Sequence, residues 1–272
     1  VLVEDNSVYI GNIPANTNSA GRNVAVGITA LGAITTGDYN TALGHDALRL
    51  NTTGSYNSAL GWYALFQNTT GTWNSAVGLK AMEDNTTGQY NSALGTFSLM
   101  DNTTGQANSA LGYKALENNT SGSNNTAFGY EALSDNTTGI GNTSSGMYSL
   151  YENTTGDYNT ASGYEALRYN TTGDYNTASG YQAGRNITTG SNNTAMGDKA
   201  GDVITTGSNN IIIGYDADPS ANSASNQIVI GKGATGQGDN YAVIGNADVT
   251  RVYAAQDAGA TLYAGGLNIG GT

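Results

Sequence analysis

A five-residue unit, Asn-Ser/Thr-Ala-apolar-Gly, recurs along this chain with a fixed period of 17. Its closing glycines run from Gly27 through Gly44, Gly61 and Gly78 to Gly231, twelve consecutive intervals without a slip. Gly11 precedes the series by 16 residues and Gly245 follows it by 14. A second unit, Asn-Thr-Thr-Gly, keeps phase with the first and closes on Gly37, Gly54, Gly71 and onward to Gly207. So strict a repeat leaves few folds open. A pair of helices needs roughly 33 residues per repeat, and the segments between the glycines lack helical periodicity. Two glycines per unit mark two turns, where positive φ or close backbone approach costs little. Each unit therefore reads as one coil of an all-β, parallel β-solenoid, with two short strands and two tight turns. Coils would stack about 4.8 Å apart, each backbone pairing with the coils on either side. Asn and Thr at fixed positions then form ladders along the axis, where amides and hydroxyls pair between rungs. The repeat domain is predicted over 23–245, after an N-terminal lead-in over 1–22 and before a C-terminal cap over 246–272. Twelve or so coils predict a rod roughly 60–70 Å long.

Two apolar columns run along this rod. One precedes the closing glycine: Val26, Leu43, Leu60, Val77, Leu94, Leu111, Phe128, then Met196, Ile213 and Ile230. The other lies four residues after it: Leu31, Leu48, Leu65, Met82, Leu99, Leu116, Leu133, Leu150 and Leu167. One large apolar residue per strand makes a thin core, so one column is expected inside each coil. The other is expected against a partner chain, because monomers avoid long exposed apolar stripes. Either the core or the chain interface could hold Leu43, Leu60, Val77, Leu94, Leu111 and Phe128.

Composition removes several functions. Nine Lys and Arg against 21 Asp and Glu give a net charge of −12. Nucleic-acid binders need a basic footprint, and anionic membranes repel such a chain. No run of about 18 apolar residues is present to insert in a bilayer. The chain has no Cys and one His, His45, so thiolate sites and most metal or general-base chemistry are not expected. No charged-then-apolar leader opens it, which predicts a mature form or another export route. The acids sit singly, without the cluster that glycoside cleavage by paired carboxylates requires. No enzyme activity and no cofactor are expected.

The runs NTALGHDALRLNTTG, NSALGYKALENNTSG and NTASGYEALRYNTTG resemble repeats of phage tail fibres that carry a C-terminal intramolecular chaperone. They are also similar to the head repeats of trimeric autotransporter adhesins, whose usual period is near 14. The resemblance covers about residues 6–245 and implies a left-handed β-roll, three chains about one axis, and adhesion as the task. It implies a homotrimer located in a virion or at the cell surface, with a host glycan or other surface receptor as partner. From Asp248 the period breaks, as before the chaperone of such fibres. That chaperone helps the trimer assemble and is then cleaved off, so a matured or shortened chain is expected. A complete autotransporter is disfavoured by the lack of a coiled-coil stalk or anchor. The alternative is a bacterial extracellular filament or adhesin of the same fold, and after it an ice-binding solenoid.

Candidate contact residues follow from the same register. Aromatics fall just after the repeat glycine (Trp62, Tyr113, Tyr130, Tyr164, Tyr181, Tyr215) and just before the Asn of the next unit (Tyr39, Tyr56, Trp73, Tyr90, Tyr158, Tyr175). Such rings could stack on sugars, or on one another between rungs. The Thr pairs suggest an ice-binding array, but their place beside Gly predicts hydroxyls that satisfy turn backbone. Ser145, Ser162 and Ser179 interrupt the first apolar column. They would line a three-fold axis as polar rungs, or face solvent. The Asn-Thr-Thr sequons (Asn51, Asn68, Asn85, Asn102 and their successors) would be glycosylation acceptors in a secreted eukaryotic protein, and turn caps here. Asp38, Asp157 and Asp174 are too scattered for a calcium loop. The stretch Tyr215–Asn222, with Pro219, reads as an irregular turn or a loop with its own role.

Overall fold

A computed structural model describes residues 2–4, 7–11 and 19–252. Sixteen strands form one sheet in chain order. They are β1 (Leu2–Glu4), β2 (Ser7–Gly11), β3 (Val24–Gly27), β4 (Thr41–Leu43), β5 (Ser58–Leu60), β6 (Ser75–Val77), β7 (Ser92–Leu94) and β8 (Ser109–Leu111), then β9 (Thr126–Phe128), β10 (Thr143–Ser145), β11 (Thr160–Ser162), β12 (Thr177–Ser179), β13 (Thr194–Met196), β14 (Ile211–Ile213), β15 (Ile228–Ile230) and β16 (Ala242–Ile244). Only β1 runs antiparallel to its neighbour; β2 to β16 are parallel, each one coil beyond the last, and no described residue is helical. The chain is a parallel β-solenoid. Register follows the repeat, with Thr41↔Ser58, Ala42↔Ala59 and Leu43↔Leu60 across β4 and β5. The last 20 residues of the expected C-terminal cap, 253–272, lie outside the described residues.

Each coil has one strand rather than two, three residues long from β4 onward. The second apolar column does not sit on a strand, because its leucines are left-handed: φ is 51° at Leu48 and 52° at Leu65. Asp46 and Tyr63, two residues earlier in each coil, are left-handed as well, at 58° and 60°. This alternation curls the chain back on itself while leaving its hydrogen bonds directed along the axis. Leu48 N donates to Ala64 O at 3.0 Å and Leu50 N to Phe66 O at 3.1 Å, both in the next coil. A left-handed non-glycine residue costs roughly 1–2 kcal/mol. Complete burial of the leucine side chain returns about 1.5–3 kcal/mol, enough to hold the conformation.

The core is correspondingly narrow. From β3 to β15 the middle residue of each strand points inward and is Ala in most coils (Ala42, Ala59, Ala76), facing Ala47, Ala64 and Ala81 and the leucine column, all at 1 % exposure or less. Two columns of fully buried asparagines complete the interior. In the first, Asn57 Nδ2 donates to Gly71 O at 2.8 Å and its Oδ1 accepts the backbone N–H of Asn74 at 3.0 Å. In the second, Asn85 Nδ2 donates to Asn68 Oδ1 at 2.7 Å and to Gly88 O at 3.2 Å, while its Oδ1 accepts from Asn102 Nδ2 at 2.8 Å. Every amide is thus paired both within its coil and between coils, as buried polar groups must be.

The two repeat glycines serve different needs. Gly61 has φ +144°, closed to side chains. Gly54 does not, but a Cβ there would overlap the carbonyl of Gly71 and the Asn51 amide. The asparagine ladder needs that space.

Candidate functional site

From β3 onward the flanking residues of each strand point away from the core and make one long outward face. Its first file is Ser or Thr from Thr41 to Thr194, then Ile211 and Ile228. Its second file is the first apolar column. Leu43, Leu60, Val77, Leu94 and Phe128 are 37–56 % exposed, and Leu111 is half-buried. Val77, Leu94, Leu111 and Phe128, with Ser92 and Ser109 beside them, line a shallow apolar groove. The leucine column from Leu31 to Leu167 is the one inside the coil, so the other stays available on the outside of the single chain. No residue of the two outward files from Val24 to Ile244 is charged.

Ser145, Ser162 and Ser179 belong to this face and are exposed in the single chain. The inward serine of that region is Ser144, fully buried. Its hydroxyl is within 2.8 Å of Ser149 O, and Ser149 Oγ donates to Gly146 O at 2.9 Å. Ser144 and Ser149 replace two facing alanines of the consensus, so each supplies the other's partner.

The aromatics stack on one another. Tyr39 and Tyr56 lie 4.8 Å apart at 7°, Tyr56 and Trp73 4.0 Å apart at 3°, and Tyr158 and Tyr175 5.2 Å apart at 13°. In the other file Tyr113 stacks on Tyr130 at 5.1 Å and Tyr164 on Tyr181 at 5.3 Å. These spacings approximate the coil repeat. The rings of a stack cover each other's faces, and Arg22 covers the end of the first stack, 5.1 Å from the Tyr39 ring centroid. Tyr90, at 58 %, is the most exposed ring of its file, and Trp62 is in T-shaped contact with His45 and Tyr63. The hydrogen bond from Tyr130 to Glu131 pushes its phenol up to about 12.

The threonines divide into two roles. The first of each pair bonds the next coil, as when Thr69 Oγ1 donates to Thr86 O at 3.1 Å. The second, including Thr53, Thr70 and Thr87, is exposed as a single file. The sequon asparagines are fully buried turn caps, Asn51 Nδ2 reaching Gly54 O at 2.8 Å. Asp38 and Asp157 cap backbone of the preceding coil, accepting from Gly21 N and Ile140 N at 2.7 Å each, and Asp174 accepts from Asp157 N at 2.8 Å. His45 is half exposed and pairs with Asp46 at 2.8 Å.

The stretch Tyr215–Asn222 is an irregular turn that keeps the ladder. Asn222 O accepts from Thr205, Thr206 and Gly207, and Gln227 in the asparagine column spans across to Ser220, Nε2 to Oγ at 2.6 Å. Asp218 takes the place of the interior leucine. Burial, with Asp202 nearby, pushes its carboxyl up to about 6.

Two clusters escaped the reading of single positions. Glu165 is buried and is held by Gln182 Nε2 and Arg185 Nε, both at 2.8 Å, and by Arg168. The Arg168 guanidinium lies 5.1 Å from the Tyr148 ring and 5.2 Å from that of Tyr169. Burial opposes ionisation of Glu165, but Gln182 and the two arginines outweigh it and hold the carboxyl below its usual range. The signal was the 17-residue spacing of Arg168 to Arg185 and of Glu165 to Gln182. Glu83, Asp84, Asp101 and Glu117 also converge on adjacent coils: burial and then these neighbours raise Asp101. Acids that sit singly along the sequence do not predict this cluster. Lys80 and Lys114 pair with Glu83 and Glu117 at 3.0 and 3.1 Å, and Gln67 bonds Asp84. Among the described residues, no three His, Asp or Glu are placed to hold a metal.

No protein-family model matches the chain, and no curated protein is significantly similar to it.

Proposed function

We propose that this chain is a structural and adhesive fibre segment, a trimeric tail-fibre shaft or head that contacts a host surface. The observation that carries this reading is the outward sheet face: uncharged, apolar along most of its length, and continuous over the whole rod. Such a stripe on a protein of net charge −12 is where further chains can approach without repulsion. The resemblance of the repeats to phage tail fibres and adhesin heads supports the same assignment. The rest of the coil suits a load-bearing rod, because backbone, amide and hydroxyl ladders all run along its axis. The ring stacks are left on the outer surface for glycan contact.

Light scattering on the purified chain tests this. A mass of three chains of 27.8 kDa is expected. A stable monomer would sink the trimeric fibre and leave the apolar face needing another partner.

A further inference from the structure

We infer that the three hydroxyl rungs β10–β12 are a register mark that aligns copies of this chain, parallel and level, along the outward face. This rests on the proposed self-association and adds its geometry.

The occupant of the face is a second copy because only another solenoid of the same pitch can match it rung for rung over its length. From β2 to β16 is about 67 Å at 4.8 Å per coil. The face also reads as three blocks. From β2 to β9 its second file is apolar, Ile10 to Phe128. Across β10–β12 both files are hydroxyls: Thr143 and Ser145, Thr160 and Ser162, Thr177 and Ser179. From β13 to β16 the second file is apolar again, Met196 to Ile244.

The blocks are unequal, and that decides orientation. With copies parallel and level, apolar meets apolar and hydroxyl meets hydroxyl at every rung. A slip of two coils puts Leu111 and Phe128 opposite Ser145 and Ser162, and Ser162 and Ser179 opposite Met196 and Ile213. An antiparallel pair can superpose the hydroxyl blocks, but β2–β5 then overhang, leaving Ile10, Val26, Leu43 and Leu60 uncovered. Burying hydroxyls against apolar side chains is unfavourable. A few polar positions in an apolar seam can therefore specify register at some cost in stability, as a single polar residue does in coiled coils.

The chain has no cysteine, so introduced thiols report alignment cleanly. Three single variants, Leu60→Cys, Leu94→Cys and Ile230→Cys, are co-expressed in pairs, oxidised and mapped by peptide mass. Leu60 and Leu94 are two coils apart, about 10 Å along the axis, beyond disulfide reach when copies are level. Leu94 and Ile230 would meet in the antiparallel arrangement. Same-site links alone are expected. In the S145L/S162L/S179L background the stripe becomes continuous, so Leu60–Leu94 links and assemblies larger than a trimer should appear while the melting temperature rises. These serines are exposed in the single chain, and their file carries large apolar residues on both sides, so the coil tolerates leucine there. Mixed-site links in the unmodified chain, or same-site links alone in the triple variant, would overturn the register mark while leaving the trimer intact. A monomeric mass overturns the association itself, and the register with it.

Discussion

The asparagine in the middle of a ladder illustrates what one residue does here. Asn102 Nδ2 donates to Asn85 Oδ1 at 2.8 Å and Gly105 O at 3.2 Å, and its Oδ1 accepts from Asn119 Nδ2 at 2.7 Å. Asn102→Ala therefore strands Asn85 Oδ1 and leaves Asn119 Nδ2 one bond short where water has no access, while Gly105 O keeps its bond from Asn91 Nδ2. Each buried unsatisfied group costs about 1–3 kcal/mol, so a loss of about 2–4 kcal/mol is expected in urea unfolding. A loss below 1 kcal/mol would mean the ladder contributes little. The two substituted serines make the same point in reverse. Ser144→Ala should destabilise more than Ser145→Ala in the same assay, because Ser144 is fully buried and bonded to Ser149 whereas Ser145 is exposed.

At the scale of one coil, volume is conserved across positions rather than at each. The first coil pairs Leu31 with Ile34; from Leu48 to Leu167 the interior holds a leucine, or Met82, and, three residues later, an asparagine. In the next two coils this becomes Gly184 with Ile187, then Gly201 with Ile204. Ile187 fills the space that leucine leaves: a Cβ on Gly184 would stand 3.1 Å from Ile187 Cδ1 and 3.1 Å from Leu167 Cδ2. Gly184→Leu alone should overpack and cost about 1–3 kcal/mol. Ile187→Asn alone should leave a void and an unmatched amide. The double variant restores the consensus pair, so its cost should fall well below the sum of the singles. Additive losses in that cycle would refute the exchange. Burial accounts for only some of the coil's left-handed residues: Leu65 is fully buried, whereas Tyr56 and Trp73 hold a similar φ with exposed rings.

For the whole molecule, charge sets the pH response. Burial, and secondarily Asp202, raises Asp218 to about 6 from an ordinary 3.8, and burial raises Asp101, Asp135 and Asp202 as well. A raised carboxyl favours the folded state while protonated. As pH climbs from about 4, the unfolded chain gives up its proton first, so stability declines until the folded group has titrated near 6 and is flat above it. Glu165 is lowered, so its contribution is lost only in stronger acid. The melting temperature should thus be higher at pH 5 than at pH 7, and Asp218→Asn should shrink the difference. An unchanged difference would show that Asp218 does not carry it.

The 17-residue glycine phase by itself determined the solenoid, the register of every rung and the presence of one inner and one outer apolar column. A strict repeat can bury its apolar positions only by stacking on itself. It also placed the turn role of Thr and Asn, since both abut glycines. Position along the chain could not say which column lies inside. That depends on φ at Leu48 and Leu65, where a left-handed bend turns the side chain inward and replaces the expected second strand with a laddered turn. Nor could it separate sugar-facing rings from stacked ones. Tyr56 and Trp73 sit one coil apart in either case, and only the tertiary spacing, 4.0 Å between their centroids, brings face against face. The Glu165 and Asp101 clusters formed for the same reason. Residues far apart along the chain became neighbours when the coils stacked, and burial and mutual charge then set their ionisation.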